Sequence, residues 1–244
     1  MAVTISDKIR YIGVDDTDLD LFEGQYVVPN GVSYNSYVIL DDKIAVMDTV
    51  DARKSEEWLA NLEAVLDGRT PDYLVVSHME PDHAANIERL ATKYPQMQIV
   101  GNVKTFQMMG QFFTFDVEGR KVVVKEGDTL SLGSHELTFV MAPMVHWPEV
   151  MVTYDATEKV LFSADAFGTY GTLDGAVLDK DMDCTHYWDE MVRYYANIVG
   201  KYGNPVQRAL QKLSALEIKT ICSTHGPVWQ EYAHKAVEIY DRLS

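Results

Sequence analysis

Four candidate metal ligands crowd into the six residues His78-Met79-Glu80-Pro81-Asp82-His83, directly after a short apolar run from Tyr73 to Val76. The run reads as a buried strand, Ser77 to His83 as the loop leaving it, and Ala84 to Lys93 as a helix. Alternate side chains of an extended loop face one way, so His78, Glu80 and Asp82 can be aimed together. Pro81 disfavours helix at Glu80 and helps keep the segment extended. Burying imidazoles and carboxylates this densely is costly unless their charge is compensated, and a metal ion compensates it. Taken locally, the same residues would also serve as a solvated polar turn ahead of a helix.

Three distant residues strengthen the metal reading. His146 follows a predicted strand from Glu136 to Met141, Asp165 follows one from Val160 to Phe162, and His225 follows one from Lys219 to Ser223. Each sits just past the C-terminal end of its strand. Rigid strands that deliver loops to one edge are a common way to assemble a site. Any one of these residues alone is more often structural; their shared placement makes them a set.

The rest of the chain predicts what carries this set. Strands are expected over Tyr34 to Leu40 and Lys43 to Met47 around an Asp41-Asp42 turn, then at Gln98 to Val100, Lys121 to Lys125 and Val150 to Tyr154. Helices are expected over Ser55 to Leu66, His186 to Tyr202, Pro205 to Ala215 and Glu231 to Leu243. Two blocks of strands, each followed by helices, imply two sheets packed face to face with helices outside. His135, His186 and His234 read as ordinary surface or helix histidines, and methionines such as Met108, Met109 and Met141 as core filler.

Composition narrows the partners. The chain has 244 residues and a formal net charge of −16, which opposes non-specific binding to nucleic acid or an anionic membrane. Its two cysteines, Cys184 and Cys222, form no Cys-x-x-Cys pair and read as small buried hydrophobes of a reducing compartment. No apolar run is long enough to span a bilayer, and Met1 to Arg10 lacks a signal-peptide core, so a cytoplasmic protein is expected.

The constellation resembles the metallo-β-lactamase superfamily, and within it the flavodiiron proteins, whose variant of the ligand motif is His-x-Glu-x-Asp-His. The flanks agree too: Ser33-Tyr34-Asn35-Ser36-Tyr37, Met144-Val145-His146-Trp147-Pro148, Ser163-Ala164-Asp165-Ala166-Phe167-Gly168, Arg193-Tyr194-Tyr195-Ala196-Asn197-Ile198 and Ser223-Thr224-His225-Gly226-Pro227. The resemblance covers nearly the whole chain. It implies an α+β fold, the αββα sandwich, with residues 1–244 as a single diiron domain. It further implies two irons, the first held by His78, Glu80 and His146 and the second by Asp82, His83 and His225. Asp165 would bridge them beside an oxo or hydroxo group. Family members differ in whether the histidine at His83 binds metal or swings away. Glu23 stands where the family often has a histidine near the metals, and one of Tyr194 and Tyr195 matches a tyrosine near the substrate pocket. Trp147, next to His146 in sequence, would either shield the centre or simply pack.

Three carboxylates among seven ligands favour iron or manganese over zinc and offset most of the charge of two divalent ions. That suits redox work on dioxygen or nitric oxide more than hydrolysis. Family members draw electrons from a flavin in a C-terminal flavodoxin domain of a neighbouring subunit. Here only Ser244 follows the closing helix, so the flavodoxin domain and its flavin are expected to be absent from this chain. A separate rubredoxin- or flavodoxin-type donor would then feed a dioxygen or nitric oxide reductase. The alternative is a sensor that holds a stable oxygen adduct and reports it to a signalling protein. A zinc hydrolase is the least favoured reading, because of Glu80. A homodimer surface inherited from the family remains open.

Overall fold

The computed structural model describes residues 3–244; Met1 and Ala2, which open the segment read above for a signal peptide, lie outside the described residues. The first sheet has seven strands in the spatial order Val3–Thr4, Ile9–Tyr11, Tyr37–Leu40, Ile44–Met47, Tyr73–Val75, Gln98–Gly101 and Lys121–Val123. Its first half is antiparallel. From Ile44–Met47 onward it is parallel, with Val46 opposite Leu74 and Val100 opposite both Val75 and Val122. Parallel neighbours need crossovers. The helices Ser55–Leu66, Ile87–Lys93 and Val103–Phe112 supply them.

The second sheet has five strands, in the order Thr129–Ser131, Glu136–Met141, Met151–Asp155, Val160–Phe162 and Thr220–Cys222. Only its last pair is parallel, Leu161 opposite Ile221. The helices Thr185–Tyr194 and Gly203–Leu213 lie in the crossover between them, and Ala233–Leu243 closes the chain. The two sheets touch through Tyr37 and Phe162, whose ring centroids are 5.6 Å apart. The Tyr37 hydroxyl also donates to the Ser223 carbonyl at 2.6 Å. Central strands such as Ile44–Met47 and Val160–Phe162 are buried along their whole length, as strands covered on both faces must be. This is the αββα sandwich of the sequence reading.

Several boundaries differ from expectation, each for a local reason. The strand expected over Tyr34 to Leu40 is two: Val32–Tyr34 pairs with Val14–Asp16, and Tyr37–Leu40 pairs with Ile9–Tyr11 and Ile44–Met47. Between them, Asn35 turns its amide inward to the Ser223 and Gly226 carbonyls. The helix expected over His186 to Tyr202 is regular only to Tyr194. Tyr195–Val199 forms a π-helical turn and Gly200–Tyr202 a 3₁₀ turn. The helix Val103–Phe112 escaped the sequence reading because its apolar face is thin: only Thr105 and Met109 are fully buried. Its start is fixed by Asn102, whose side chain accepts from the Lys104 and Thr105 backbone N–H groups.

His135 is a correction. It is buried rather than at the surface, with Nδ1 2.8 Å from Asp155 and its backbone N–H donated to Asp41. His186 and His234 are exposed on helices, as read. Cys184 and Cys222 are buried and unpaired. Among the described residues, no helix is long and apolar enough to cross a membrane.

Candidate metal centre

The loops that follow Tyr73–Val75, Glu136–Met141, Val160–Phe162 and Thr220–Cys222 converge on one place. His78 and Glu80 follow Tyr73–Val75 in extended backbone, with Glu80 at φ −61° and ψ 140°. Pro81 then starts a helical turn, Pro81–Ala84, one residue after Glu80. This revises the expected extended loop to His83: Asp82 and His83 already lie in the turn. Proline is preorganised for the first helical position and gives up no needed N–H there. The break divides the motif between two destinations.

The side chains gather into two clusters, His78, Glu80, His146 and Asp165 in one, and Asp82, His83 and His225 in the other, all buried. In the first, Glu80 Oε2 lies 3.2 Å from His78 Nε2 and 3.0 Å from His146 Nε2. In the second, Asp82 Oδ2 lies 3.4 Å from His83 Nε2 and 3.2 Å from His225 Nε2. Asp165 faces both. Its Oδ2 is 3.4 Å from His78 and 3.1 Å from His146, and its Oδ1 is 2.9 Å from His83 and 3.7 Å from His225.

The donor set fits a cation. Asp82 Oδ1 and Oδ2, His83 Nε2, His225 Nε2 and Asp165 Oδ2 are buried and make no hydrogen bond. Such lone pairs cost free energy unless something positive meets them. The protonation balance points the same way. Burial opposes a charge on His78, yet the carboxylates of Asp165, Glu149 and Glu80 outweigh it and raise its pKa well above the ordinary value. His83 and His146 are likewise lifted to about 9, against burial, by the surrounding acids. Asp165 is held well below the carboxylate range, because the histidines outweigh its own burial. Without an ion, protons supply the positive charge this pocket demands.

Outer contacts aim the ligands, and most of them were not visible in the sequence. His225 Nδ1 faces the Ser33 carbonyl at 2.7 Å, so its Nε2 points inward. The Thr224 hydroxyl donates to Asp165 Oδ1 at 2.6 Å. Asp48, buried and in the left-handed region at φ 54°, accepts from the Ser77 N–H and fixes the root of the motif loop. Burial lifts its pKa to about 6, with His83 opposing. Glu149 Oε1 lies 2.7 Å from His78 Nδ1. Its one sequence signal is that it stands three residues beyond His146. Gly226, at φ 75°, lets the chain turn directly after His225, and a Cβ there would strike Thr169.

A cavity of about 850 Å³ opens onto the first cluster, lined by Glu23, Glu80, Asp82, His146 and Trp147 among others. Glu23 stands at the rim, where partial burial and the Glu80 carboxylate lift its pKa to about 8. Trp147 packs edge-on against His78 at 5.1 Å and His146 at 6.0 Å between ring centroids. The two tyrosines divide. Tyr194 is fully buried with its ring 5.5 Å from His225, whereas the Tyr195 hydroxyl turns away to Ser244. Adjacent helical residues point about 100° apart, so only one can face the site. The Tyr194 hydroxyl has no hydrogen-bond partner. Tyr194→Phe is therefore expected to leave stability unchanged or raise it by up to ~1 kcal/mol, measured by thermal melting. A loss of more than about 1 kcal/mol would show that the hydroxyl has a structural partner.

A family model described as ODP family beta lactamase matches residues 32–226. The chain belongs to this family. Solved flavodiiron structures share its fold. The flavodiiron protein of Giardia intestinalis superposes with a TM-score of 0.94 at 30% identity, over 100% of this chain and 59% of that one. The rubredoxin oxygen:oxidoreductase of Desulfovibrio gigas gives 0.94 at 32% identity, over 99% and 61%. In sequence, this ODP-family chain is 34% identical over 243 residues to a nitric oxide reductase of Moorella thermoacetica, covering 98% of this chain and 60% of that protein. It is 33% identical to the anaerobic nitric oxide reductase flavorubredoxin of Salmonella arizonae, covering 98% of this chain and 50% of that one. The chain thus spans between half and about three-fifths of its relatives' lengths and corresponds to their diiron domain.

Proposed function

We propose that this chain is a single diiron domain that reduces nitric oxide or dioxygen with electrons from a separate donor of the rubredoxin or flavodoxin type. The observation that carries this is Asp165, which presents one carboxylate oxygen to each of two clusters. Each cluster otherwise offers two imidazoles and one carboxylate. That facial set with open positions is characteristic of non-haem iron, and hard oxygen donors disfavour zinc. His78, Glu80 and His146 would hold the first ion, Asp82, His83 and His225 the second, with Asp165 shared.

Two ferrous ions would supply the two electrons that joining two nitric oxide molecules requires, or half of the four that reduce dioxygen to water. The protein's own groups do the rest. The buried outer contacts of Glu149 and the Ser33 carbonyl hold His78 and His225 in one tautomer. Trp147 and the walls of the cavity restrict water around the ligands. Glu23, at the rim beside Glu80, can pass protons from solvent to the cavity. The relatives are named for reductions of nitric oxide or oxygen, so sensing gains no support from them.

The test is anaerobic iron loading followed by NADH-driven turnover with a reductase and purified rubredoxin or flavodoxin. Two irons per chain and sustained consumption of either gas are expected, with the faster gas naming the substrate. Two zinc ions in protein purified from its native source would overturn the assignment of iron. Background rates with both donors would overturn the reductase.

A further inference from the structure

Apart from the shared Asp165, each cluster offers two imidazoles and one carboxylate, but their outer partners differ. Behind His225, Nδ1 meets a neutral backbone carbonyl, that of Ser33, at 2.7 Å. Behind His83, Nδ1 is buried and makes no hydrogen bond, and the Asp48 carboxylate acts on that ring only through space. Behind His78, Nδ1 meets a carboxylate, Glu149 Oε1, at 2.7 Å. Glu149 is almost completely buried, and Oε1 also accepts the Met79 N–H at 2.8 Å, while Oε2 makes no hydrogen bond. Its negative charge is therefore shielded from bulk solvent, and His78 is the basic side chain it meets. Its position is fixed from behind. The Asn102 side chain, which caps the helix Val103–Phe112, also donates to the Glu149 carbonyl at 2.5 Å.

A ring N–H donated to a carboxylate makes the opposite ring nitrogen a stronger donor than one donated to a carbonyl. We infer that Glu149 is a positioning residue that makes the two metal positions unequal, so that the ion held by His78, Glu80 and His146 is bound more tightly and kept oxidised more readily than the ion held by Asp82, His83 and His225. The inference rests on the two-metal reading above and deepens it. An unequal pair takes up electrons one at a time, which matches donors that deliver them singly.

The experiment uses Co²⁺ or Zn²⁺ as the probe, so it is independent of gas chemistry. Calorimetric titration of the ion-free native protein should show two binding events. If it shows fewer than two, the two-metal reading itself fails. In Glu149→Gln, one event should weaken by about 10- to 100-fold while the other stays at its native affinity, the range seen when an outer partner of a ligand is lost. With iron, if ferric affinity falls tenfold more than ferrous affinity at that site, its midpoint potential rises by ~59 mV. Equal weakening at both sites, or a lower melting temperature with both affinities intact, would make Glu149 merely structural and overturn the inference. A measurement on the unaltered protein covers the case in which the variant does not fold. In the zinc-loaded native protein, the His78 Nδ1 proton should appear in water as a downfield imidazole resonance protected from exchange. Its absence overturns the inference equally.

Discussion

Replacing Asp165 by asparagine is expected to cut metal binding from two ions per chain to one or none, and to lower gas reduction by more than about 100-fold. The figure is a lower bound, because 10- to 100-fold is the usual loss for an outer partner and Asp165 faces the site directly. Its two oxygens serve two clusters, at 3.1 Å from His146 on one side and 2.9 Å from His83 on the other. An amide has one acceptor. The Thr224 hydroxyl donates at 2.6 Å to Oδ1, the oxygen on the His83 side. If the amide oxygen keeps that bond, the NH₂ group faces His78 and His146 and excludes an ion there. If the amide flips, the second site loses its donor instead. Either way one position is emptied and one of three carboxylate charges is lost. Metal analysis after anaerobic loading, with calorimetric titration, reads the outcome. Two ions held at native affinity would show that Asp165 is not shared between them.

The ligand types were legible in the sequence because their chemistry is local: imidazoles and carboxylates that no core tolerates unpaired announce themselves. Their position at strand ends was legible as well, because Tyr73–Val75, Val160–Phe162 and Thr220–Cys222 are short apolar runs with abrupt ends. The division of the motif was less so. Alternation predicted that Asp82 would follow His78 and Glu80 to one side, but the helical turn at Pro81 redirects it. Proline restricts the residue before it and also favours a helix start at its own position, and here the second effect decides where Asp82 and His83 point.

Outer partners were harder to see. Glu149 and Asp48 are single acidic residues in an acidic chain, and a long-range contact such as Ser33 to His225 leaves no periodic trace. The π-helical turn after Tyr194 had no signal either. The division of the two tyrosines, one inward and the next outward, follows instead from ordinary helical geometry once the helix is placed.

Ion-free protein should lose stability as pH rises from about 6.5 to 9, while metal affinity climbs over the same range. In the folded chain His83 and His146 are lifted from an ordinary 6.5 to about 9. A group whose folded pKa is raised stabilises the fold fully below its unfolded pKa and ceases to do so as pH passes the folded value. Each pKa unit is worth ~1.4 kcal/mol, so the two buried histidines together represent several kcal/mol. A metal ion needs bare ring nitrogens, and it must displace these protons. At pH 7 about two protons should leave per chain on loading, more if His78 joins them, and progressively fewer as pH passes 9. Calorimetric titration in buffers of different ionisation enthalpy counts them directly. Thermal melts should show the gap between loaded and ion-free protein widening with pH. Loading at pH 7 without proton release would mean that the imidazoles are already neutral and that the surrounding carboxylates do not act on them as a charged cage. The two results are linked. The carboxylates that hold the protons are the same groups that would hold the metal ions, so a pocket that binds protons this tightly at neutral pH is one already shaped for a stronger cation.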